Sequence, residues 1–155
     1  MFAVLPATAP ADLEQARILF REYAEQVDAP CCFATFADEV ASLPGEYAHP
    51  AGRLFLARKD SQAAGCVAMR ALDASRGEIK RLYVRRAFRG GGLGRTLSTL
   101  VIAAAREQRY ARLMLDTLPK MQEAIALYRS LGFRETGPYS AQPTPGAIFF
   151  ELRLS

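Results

Sequence analysis

The sequence has 155 residues, half of them hydrophobic, and a formal net charge of +4. A chain of this length builds one hydrophobic core, so we expect residues 1–155 to form a single domain. No run of about 18 apolar residues is present, and the first residues lack the features of a signal peptide, so we expect no membrane span or leader. One histidine and three cysteines predict reduced thiols in the cytoplasm rather than disulfides or a metal centre.

Hydrophobic periodicity and turn residues predict eleven helices and strands. In chain order they are a strand over 2–6, helices over 10–27 and 35–43, strands over 53–59, 64–72 and 78–84, a helix over 93–109, a strand over 113–116, a helix over 119–131, and strands over 133–136 and 147–154. This order predicts an α/β (α+β) fold with a mixed, mostly antiparallel central sheet flanked by helices.

The charges are distributed unevenly along the chain. Residues 76–112 carry ten Lys and Arg against two acids, whereas residues 1–50 carry eight acids against two arginines. The basic middle predicts an anionic ligand, and the acidic front would attract a cation. Solvated helix faces produce similar distributions, so that alternative stays open for both segments.

A glycine-rich turn of residues 89–94 lies between the predicted strand that ends at Val84 and the helix that begins at Leu93. Helix N-termini offer unpaired N–H groups and partial positive charge, and glycines let a phosphate approach the backbone. The turn lacks the Gly-Lys-Ser/Thr of a Walker A loop and the last glycine of a Rossmann fingerprint. It fits Arg/Gln-x-x-Gly-x-Gly/Ala instead. A tight turn without a ligand is the alternative, which three consecutive glycines flanked by arginines disfavour.

Three motifs, in order, resemble the GNAT superfamily of N-acetyltransferases: Leu82-Tyr83-Val84, the glycine-rich turn, and residues 124–133. The resemblance covers residues 78–133 in detail and the element order of the whole chain. It implies the GNAT-like acyl-CoA N-acyltransferase fold, with acetyl-CoA (coenzyme A) as co-substrate and no metal.

The resemblance also implies which residues contact the cofactor. A strand backbone pairs with the pantetheine arm, the amides of the turn hold the pyrophosphate, and a basic residue lies beside it. In this sequence these are Leu82, Tyr83 and Val84 for the pantetheine, Arg89, Gly90, Gly91, Gly92, Leu93 and Gly94 for the pyrophosphate, and Arg95 beside it. Coenzyme A would then be the anion that the basic middle of the chain predicts.

Acetyl transfer requires a neutral amine, which costs about 4–5 kcal/mol at pH 7 for a lysine-like pKa. By resemblance to histone-acetylating relatives, Glu78 is the predicted general base, six residues before Val84. Strand alternation predicts that Glu78 shares one face with Lys80, Leu82 and Val84. The alternative is that Glu78 pairs with Lys80 or a neighbouring arginine, or merely ends the strand.

The departing thiolate needs a proton, and the resemblance implies that Tyr128, within Ala-Leu-Tyr-x-x-x-Gly-Phe, lies beside the sulfur. Helical spacing aligns Tyr128 with Met121 and Ala124, so we expect it to point inward. A core tyrosine with a satisfied hydroxyl is the alternative. A backbone N–H between Leu82 and Val84 is the predicted donor to the oxyanion.

The sequence gives less information about the site that binds the acceptor amine. Family geometry implies that the first two helices and the loop between the last strands form its walls. This nominates four aromatic residues, Tyr23, Phe33, Phe36 and Tyr139. Each of them fits a core or rim position equally well. His49 is predicted to be an ordinary loop residue.

These features predict an acetyl-CoA-dependent N-acetyltransferase that acts on a primary amine of a small molecule, amino acid or peptide by direct attack on the thioester. A non-catalytic acyl-CoA-binding or sensing module of the same fold is the alternative, against which the presence of both Glu78 and Tyr128 argues. We expect no nucleic-acid partner, because the arginines cluster on the phosphate loop without interleaved aromatics. A monomer and a homodimer both stay open.

Overall fold

The computed structural model describes residues 2–27, 35–141 and 143–155. The helices in these ranges are α1 (Pro10–Val27), α2 (Phe36–Ala41), α3 (Leu93–Glu107) and α4 (Gln122–Ser130). The strands are β1 (Ala3–Pro6), β2 (Arg53–Lys59), β3 (Gln62–Ala71), β4 (Arg76–Val84), β5 (Arg112–Thr117), β6 (Arg134–Thr136) and β7 (Ile148–Arg153). Every helix and strand predicted from the sequence is present, so the predicted order is confirmed.

Two local details differ from the prediction. Helix α4 begins at Gln122, not at Pro119, because the chain first makes a turn in which the Met121 N–H donates to the Leu118 carbonyl at 2.9 Å. Two short 3₁₀ turns, Gly45–Tyr47 and Arg86–Phe88, are additional. Three-residue turns of this kind have no hydrophobic period that a sequence pattern could reveal.

The seven strands of the described ranges form one sheet in the order β1-β2-β3-β4-β5-β7-β6. Strands β4 and β5 are parallel, and the other neighbouring pairs are antiparallel. The mixed, mostly antiparallel sheet is therefore confirmed. Among the described residues, no helix combines the length and the apolar character that crossing a membrane requires.

The sheet separates two hydrophobic clusters. On one face, α3 packs through Leu97, Val101 and Ala105, which recur at helical spacing. On the other face, α1 packs through Leu19 and Phe20. Helices α3 and α4 thus cover one face, and α1 and α2 cover the other.

Strands β4 and β5 separate in the middle of the sheet. Their pairing joins residues 76–78 to residues 112–114 only, although β4 continues to Val84 and β5 to Thr117. Beyond the paired residues, the strand edges that face each other make no ladder hydrogen bonds. A gap therefore opens between the two strands, and it exposes backbone groups of β4 to a ligand.

A β-bulge interrupts β4 next to this gap. Two residues of β4, Arg81 and Leu82, oppose the single residue Val67 of β3. Arg81 has a left-handed φ of +60°. An extra residue of this kind reverses the alternation of all side chains that follow it.

The bulge makes one prediction wrong. Ile79, before the bulge, packs in the same cluster as Leu82 and Val84, after it. The side chains of Glu78 and Lys80 therefore lie on the face that α1 covers, opposite to Leu82 and Val84. Simple alternation had placed all four on one face.

Candidate active site

A groove of about 640 Å³ lies between α1, the end of β4, the glycine-rich turn and α4. It is lined by nine of the ten residues predicted to contact the cofactor, namely Leu82, Tyr83, Val84, Arg89, Gly90, Gly92, Leu93, Gly94 and Arg95. The tenth, Gly91, faces Phe2, since a Cβ on Gly91 would lie 3.4 Å from the Phe2 ring. The structure thus brings the predicted set together around one groove.

The glycine-rich turn has the backbone shape of an anion cradle. Gly90 and Gly92 have φ values of +90° and +80°, and a Cβ on either would have no protein atom within 4 Å. Gly92 is also the N-cap of α3, whose first N–H groups lack intrahelical acceptors. A diphosphate fits this open space, because the free N–H groups and the helix dipole both favour negative charge.

Two arginines lie at the rim of the groove. Arg89 donates from Nε to the Val84 carbonyl at 2.8 Å and from Nη2 to Gln26 Oε1 at 3.0 Å. Arg95 donates to Ser130 Oγ at 2.7 Å and so joins α3 to α4. Neither guanidinium is paired with a carboxylate of the described residues, and both are exposed. They therefore leave net positive charge beside the cradle.

Tyr128 is 6% exposed, and its ring lies edge-on to Phe133 at 5.6 Å between centroids. Burial raises the pKa of its hydroxyl, which is therefore protonated at neutral pH. The hydroxyl makes no hydrogen bond to any described residue. Tyr128 lines a cavity of about 50 Å³ in the gap between β4 and β5. A protonated phenol is thus available there as a proton donor.

Glu78 is 3% exposed, and both of its carboxylate oxygens accept hydrogen bonds. Oε1 accepts from Arg70 Nε at 2.8 Å, and Oε2 accepts from the Tyr139 hydroxyl at 2.5 Å. Arg70 also binds Glu46 at 2.8 Å. The pairing with an arginine corresponds to the alternative interpretation of Glu78 in the sequence. Its role as general base stays a prediction.

The four aromatic residues predicted for the acceptor site lie in different places. Tyr23 lines the groove, the 50 Å³ cavity and a second cavity of about 70 Å³ in the β4–β5 gap. Phe36 lies against Arg81, whose guanidinium carbon is 5.3 Å from the ring centroid. Tyr139 binds Glu78, and Phe33 falls outside the described residues. Within the described ranges, no cluster of three or more His, Cys, Asp or Glu residues could hold a metal ion.

Three charged residues line both cavities of the gap, namely Lys80, Arg81 and Asp116. No sequence motif had indicated any of them as a site residue. Arg81 is held by Glu39 of α2 through two bonds of 2.8 Å. Burial raises the pKa of Asp116, while the charge of Lys80 opposes this effect and that of Glu78 adds to it. One signal could have indicated Asp116, because it lies near the carboxyl end of a strand with a parallel neighbour, where ligands often bind. Using that signal required knowing that β4 and β5 are neighbours.

The comparisons with known proteins agree with this geometry. The profile of the acetyltransferase (GNAT) family matches residues 13–133. An uncharacterized N-acetyltransferase of Schizosaccharomyces pombe is 34% identical over 148 residues, which are 94% of this chain and 91% of that protein.

Two solved structures share the fold. A GNAT family acetyltransferase from Staphylococcus aureus has a TM-score of 0.83 at 20% identity, over the full length of both chains. A GNAT family acetyltransferase from Elizabethkingia anophelis, solved with acetyl-CoA bound, has a TM-score of 0.63 at 23% identity and covers 99% of this chain and 98% of its own. The chain therefore belongs to the GNAT family, and it is an acetyl-CoA-dependent N-acetyltransferase.

Proposed function

We propose that this enzyme transfers the acetyl group of acetyl-CoA to a primary amine of a small molecule, an amino acid or a peptide by direct attack on the thioester. One observation carries the proposal. The groove and the cavity that Tyr128 lines are adjacent, since Tyr23, Leu82, Met121 and Ala124 line both. A donor bound in the groove and an acceptor bound in the gap would therefore meet beside a proton donor.

The residues present fit coenzyme A along the whole groove. The N–H groups of the turn and of α3 would hold the diphosphate, and Arg89 and Arg95 would add positive charge. The unpaired edge of β4, residues 82–84, would hydrogen-bond to the amide groups of the pantetheine as a neighbouring strand does. Bound there, acetyl-CoA supplies the activated acyl group.

Tyr128 is the proposed proton donor to the departing sulfur, since its hydroxyl is protonated and the residue lines the cavity. Two carboxyl groups lie on the side of the gap that faces α1. Glu78 is the base that the family resemblance implies, and its oxygens already accept from Arg70 and Tyr139. Asp116 is the carboxyl group that lines the cavity itself.

Two measurements on the purified protein test the proposed function. A saturating concentration of acetyl-CoA should raise the melting temperature, because a ligand at a hundredfold excess over its Kd stabilises the native state by about 2.7 kcal/mol. A matched sodium chloride series is the control. Incubation with a library of primary amines should release free thiol for at least one of them. Absence of the thermal shift would contradict the cofactor assignment, and a shift without thiol release from any amine would favour the sensing module.

A further inference from the structure

Two small cavities occupy the gap between β4 and β5, with volumes of about 70 and 50 Å³. Six residues line both of them: Tyr23, Lys80, Arg81, Asp116, Thr117 and Met121. We call this shared space the β4–β5 pocket. It adjoins Tyr128 at one end, and at the other it reaches Thr144, in the loop before β7.

Most charges around the β4–β5 pocket are already neutralised by a protein partner. Glu39 binds Arg81 through two hydrogen bonds of 2.8 Å, and Arg70 binds Glu78 at 2.8 Å. Arg81 and Glu78 are therefore each already bound to an oppositely charged protein group. Two charged groups of the pocket are left that could recognise a ligand.

Those two groups are Lys80 on β4 and Asp116 on β5. Within the described ranges, the two side chains do not bind each other or a third residue, and the Asp116 carboxyl group accepts a hydrogen bond from its own backbone N–H. The two groups nevertheless interact through their charges. Burial raises the pKa of Asp116, and the positive charge of Lys80 opposes this effect. One ammonium and one carboxyl group therefore face the same small space from opposite sides without touching.

Half-buried charges of this kind are costly unless something compensates them. A free amino acid carries the two complementary charges a short distance apart. Its carboxylate would accept from Lys80, and its amino group would donate to Asp116. A polyamine would bring a cation to Lys80, and a peptide N-terminus has an uncharged amide where the free amino acid has its carboxylate.

We propose that the acceptor of this enzyme is a free α-amino acid, held in the β4–β5 pocket with its carboxylate on Lys80 and its amino group on Asp116. The inference rests on the proposed function and narrows its acceptor to one chemical class. It also places the amino group in the cavity that Tyr128 lines, because Asp116 lines the same cavity.

The reaction balances with the groups present. The ammonium of the amino acid gives one proton to Asp116, which passes it to solvent. The nitrogen then bonds to the acetyl carbon, and the carbon–sulfur bond breaks. Tyr128 gives its proton to the sulfur and recovers one from the acylated nitrogen. The products are the N-acetylamino acid and free coenzyme A, with one proton released.

The test compares each L-amino acid with its methyl ester, which keeps the amine and removes the negative charge. Thiol release should give a kcat/KM about tenfold to a hundredfold higher for at least one amino acid than for its ester. In Lys80→Met this ratio should fall to about one, through a higher KM for the amino acid. Lys59→Met is the matched control, because Lys59 lies over the Phe2 ring, and it should keep the ratio. Asp116→Asn should lower kcat/KM for both compounds by about a hundredfold.

Failure of this inference can be told from failure of the proposed function. If acetyl-CoA shifts the melting temperature but esters, polyamines or peptides are acetylated at least as well as every amino acid, the amino-acid inference is overturned and the acetyltransferase remains. The amino-acid inference is also overturned if the Lys80→Met variant still prefers the amino acid to its ester. If acetyl-CoA produces no shift at all, both proposals fall.

Discussion

A buried phenol such as Tyr128 holds its proton over the ordinary pH range, because burial raises its pKa. Such a group is a poor base in its resting form, but its O–H can donate a hydrogen bond to the negative charge that develops on a departing sulfur. Tyr128 lines the cavity and its hydroxyl is unbonded to any described residue, which supports its proposed role as donor to the sulfur.

Tyr128→Phe removes the hydroxyl and keeps the ring that packs against Phe133. We expect kcat to fall by about a hundredfold, the usual contribution of one positioned proton donor, with the Kd for acetyl-CoA within about twofold of the wild-type value. Steady-state kinetics and calorimetry would measure the two quantities. Tyr110→Phe is the matched control, because the Tyr110 hydroxyl donates to the Ala51 carbonyl at 2.7 Å, away from the groove. Unchanged kcat in the Tyr128 variant would remove Tyr128 from the mechanism.

At the scale of the elements, the site is made where β4 ends and α3 begins. The glycine-rich turn reverses the chain with positive φ at Gly90 and Gly92, so the start of α3 points its free N–H groups towards the groove. The same turn places the unpaired edge of β4 beside these N–H groups. One strand–turn–helix unit therefore provides both hydrogen-bonding surfaces that we propose for coenzyme A.

Gly92→Asn tests the cradle without unfolding it. Asparagine tolerates the left-handed conformation better than other residues, and a Cβ at Gly92 meets no protein atom within 4 Å. Its side chain would fill the space proposed for a phosphate, so we expect the Kd for acetyl-CoA to rise by roughly tenfold or more. Gly137→Asn is the control, since a Cβ at Gly137 also meets nothing within 4 Å and Gly137 does not line the groove. Equal affinity in both variants would argue against the cradle.

At the scale of the whole molecule, an ion pair joins α2, in the helical layer on one face, to strand β4 of the sheet. Arg81 is 8% exposed and binds Glu39 of α2 through two hydrogen bonds. Burial alone would raise the pKa of Glu39, but the hydrogen bonds and charge of Arg81 outweigh that effect, so its pKa lies below the ordinary value of 4.5. Without the Glu39 carboxylate, the buried guanidinium of Arg81 would lose these two hydrogen bonds.

Glu39→Gln should therefore lower the free energy of unfolding by about 2 kcal/mol at pH 7, as expected for hydrogen bonds to a buried charge. Chemical denaturation would measure it. Glu135→Gln is the control, because the Arg129–Glu135 pair is exposed at both ends, and its loss should cost at most about 0.5 kcal/mol. Equal losses in the two variants would contradict a structural role for the Arg81–Glu39 pair.

The same pair has a consequence for acid stability. A carboxyl group with a lower pKa in the folded state stabilises the fold above its unfolded pKa, and this stabilisation disappears as the pH falls through the folded pKa. The wild-type protein should thus lose stability below about pH 4.5 more steeply than Glu39→Gln, which has no proton to take up there. Parallel stability curves for the two proteins over that range would show that Glu39 does not titrate with folding.

The sequence by itself determined the order of the elements and the donor side of the site. Both depend on short stretches of chain, since helical spacing in α3 and the contiguous motif of residues 89–94 leave their pattern within a few neighbouring residues. The proposed binding groups of the glycine-rich turn are backbone N–H groups, so no distant partner was needed to predict them. Nine of the ten predicted cofactor residues, which lie in the end of β4, this turn and the start of α3, line one groove.

Only the tertiary structure showed which residues surround the pocket that we propose for the acceptor. Arg70 and Tyr139 meet Glu78, and Glu39 meets Arg81, across long stretches of chain that no local pattern spans. The extra residue at Arg81 reversed the alternation that the sequence predicted for β4, and the pocket exists because β4 and β5 separate after three paired residues. Such features depend on which strands are neighbours and in what register, and that is settled by packing of the whole sheet rather than by any one segment.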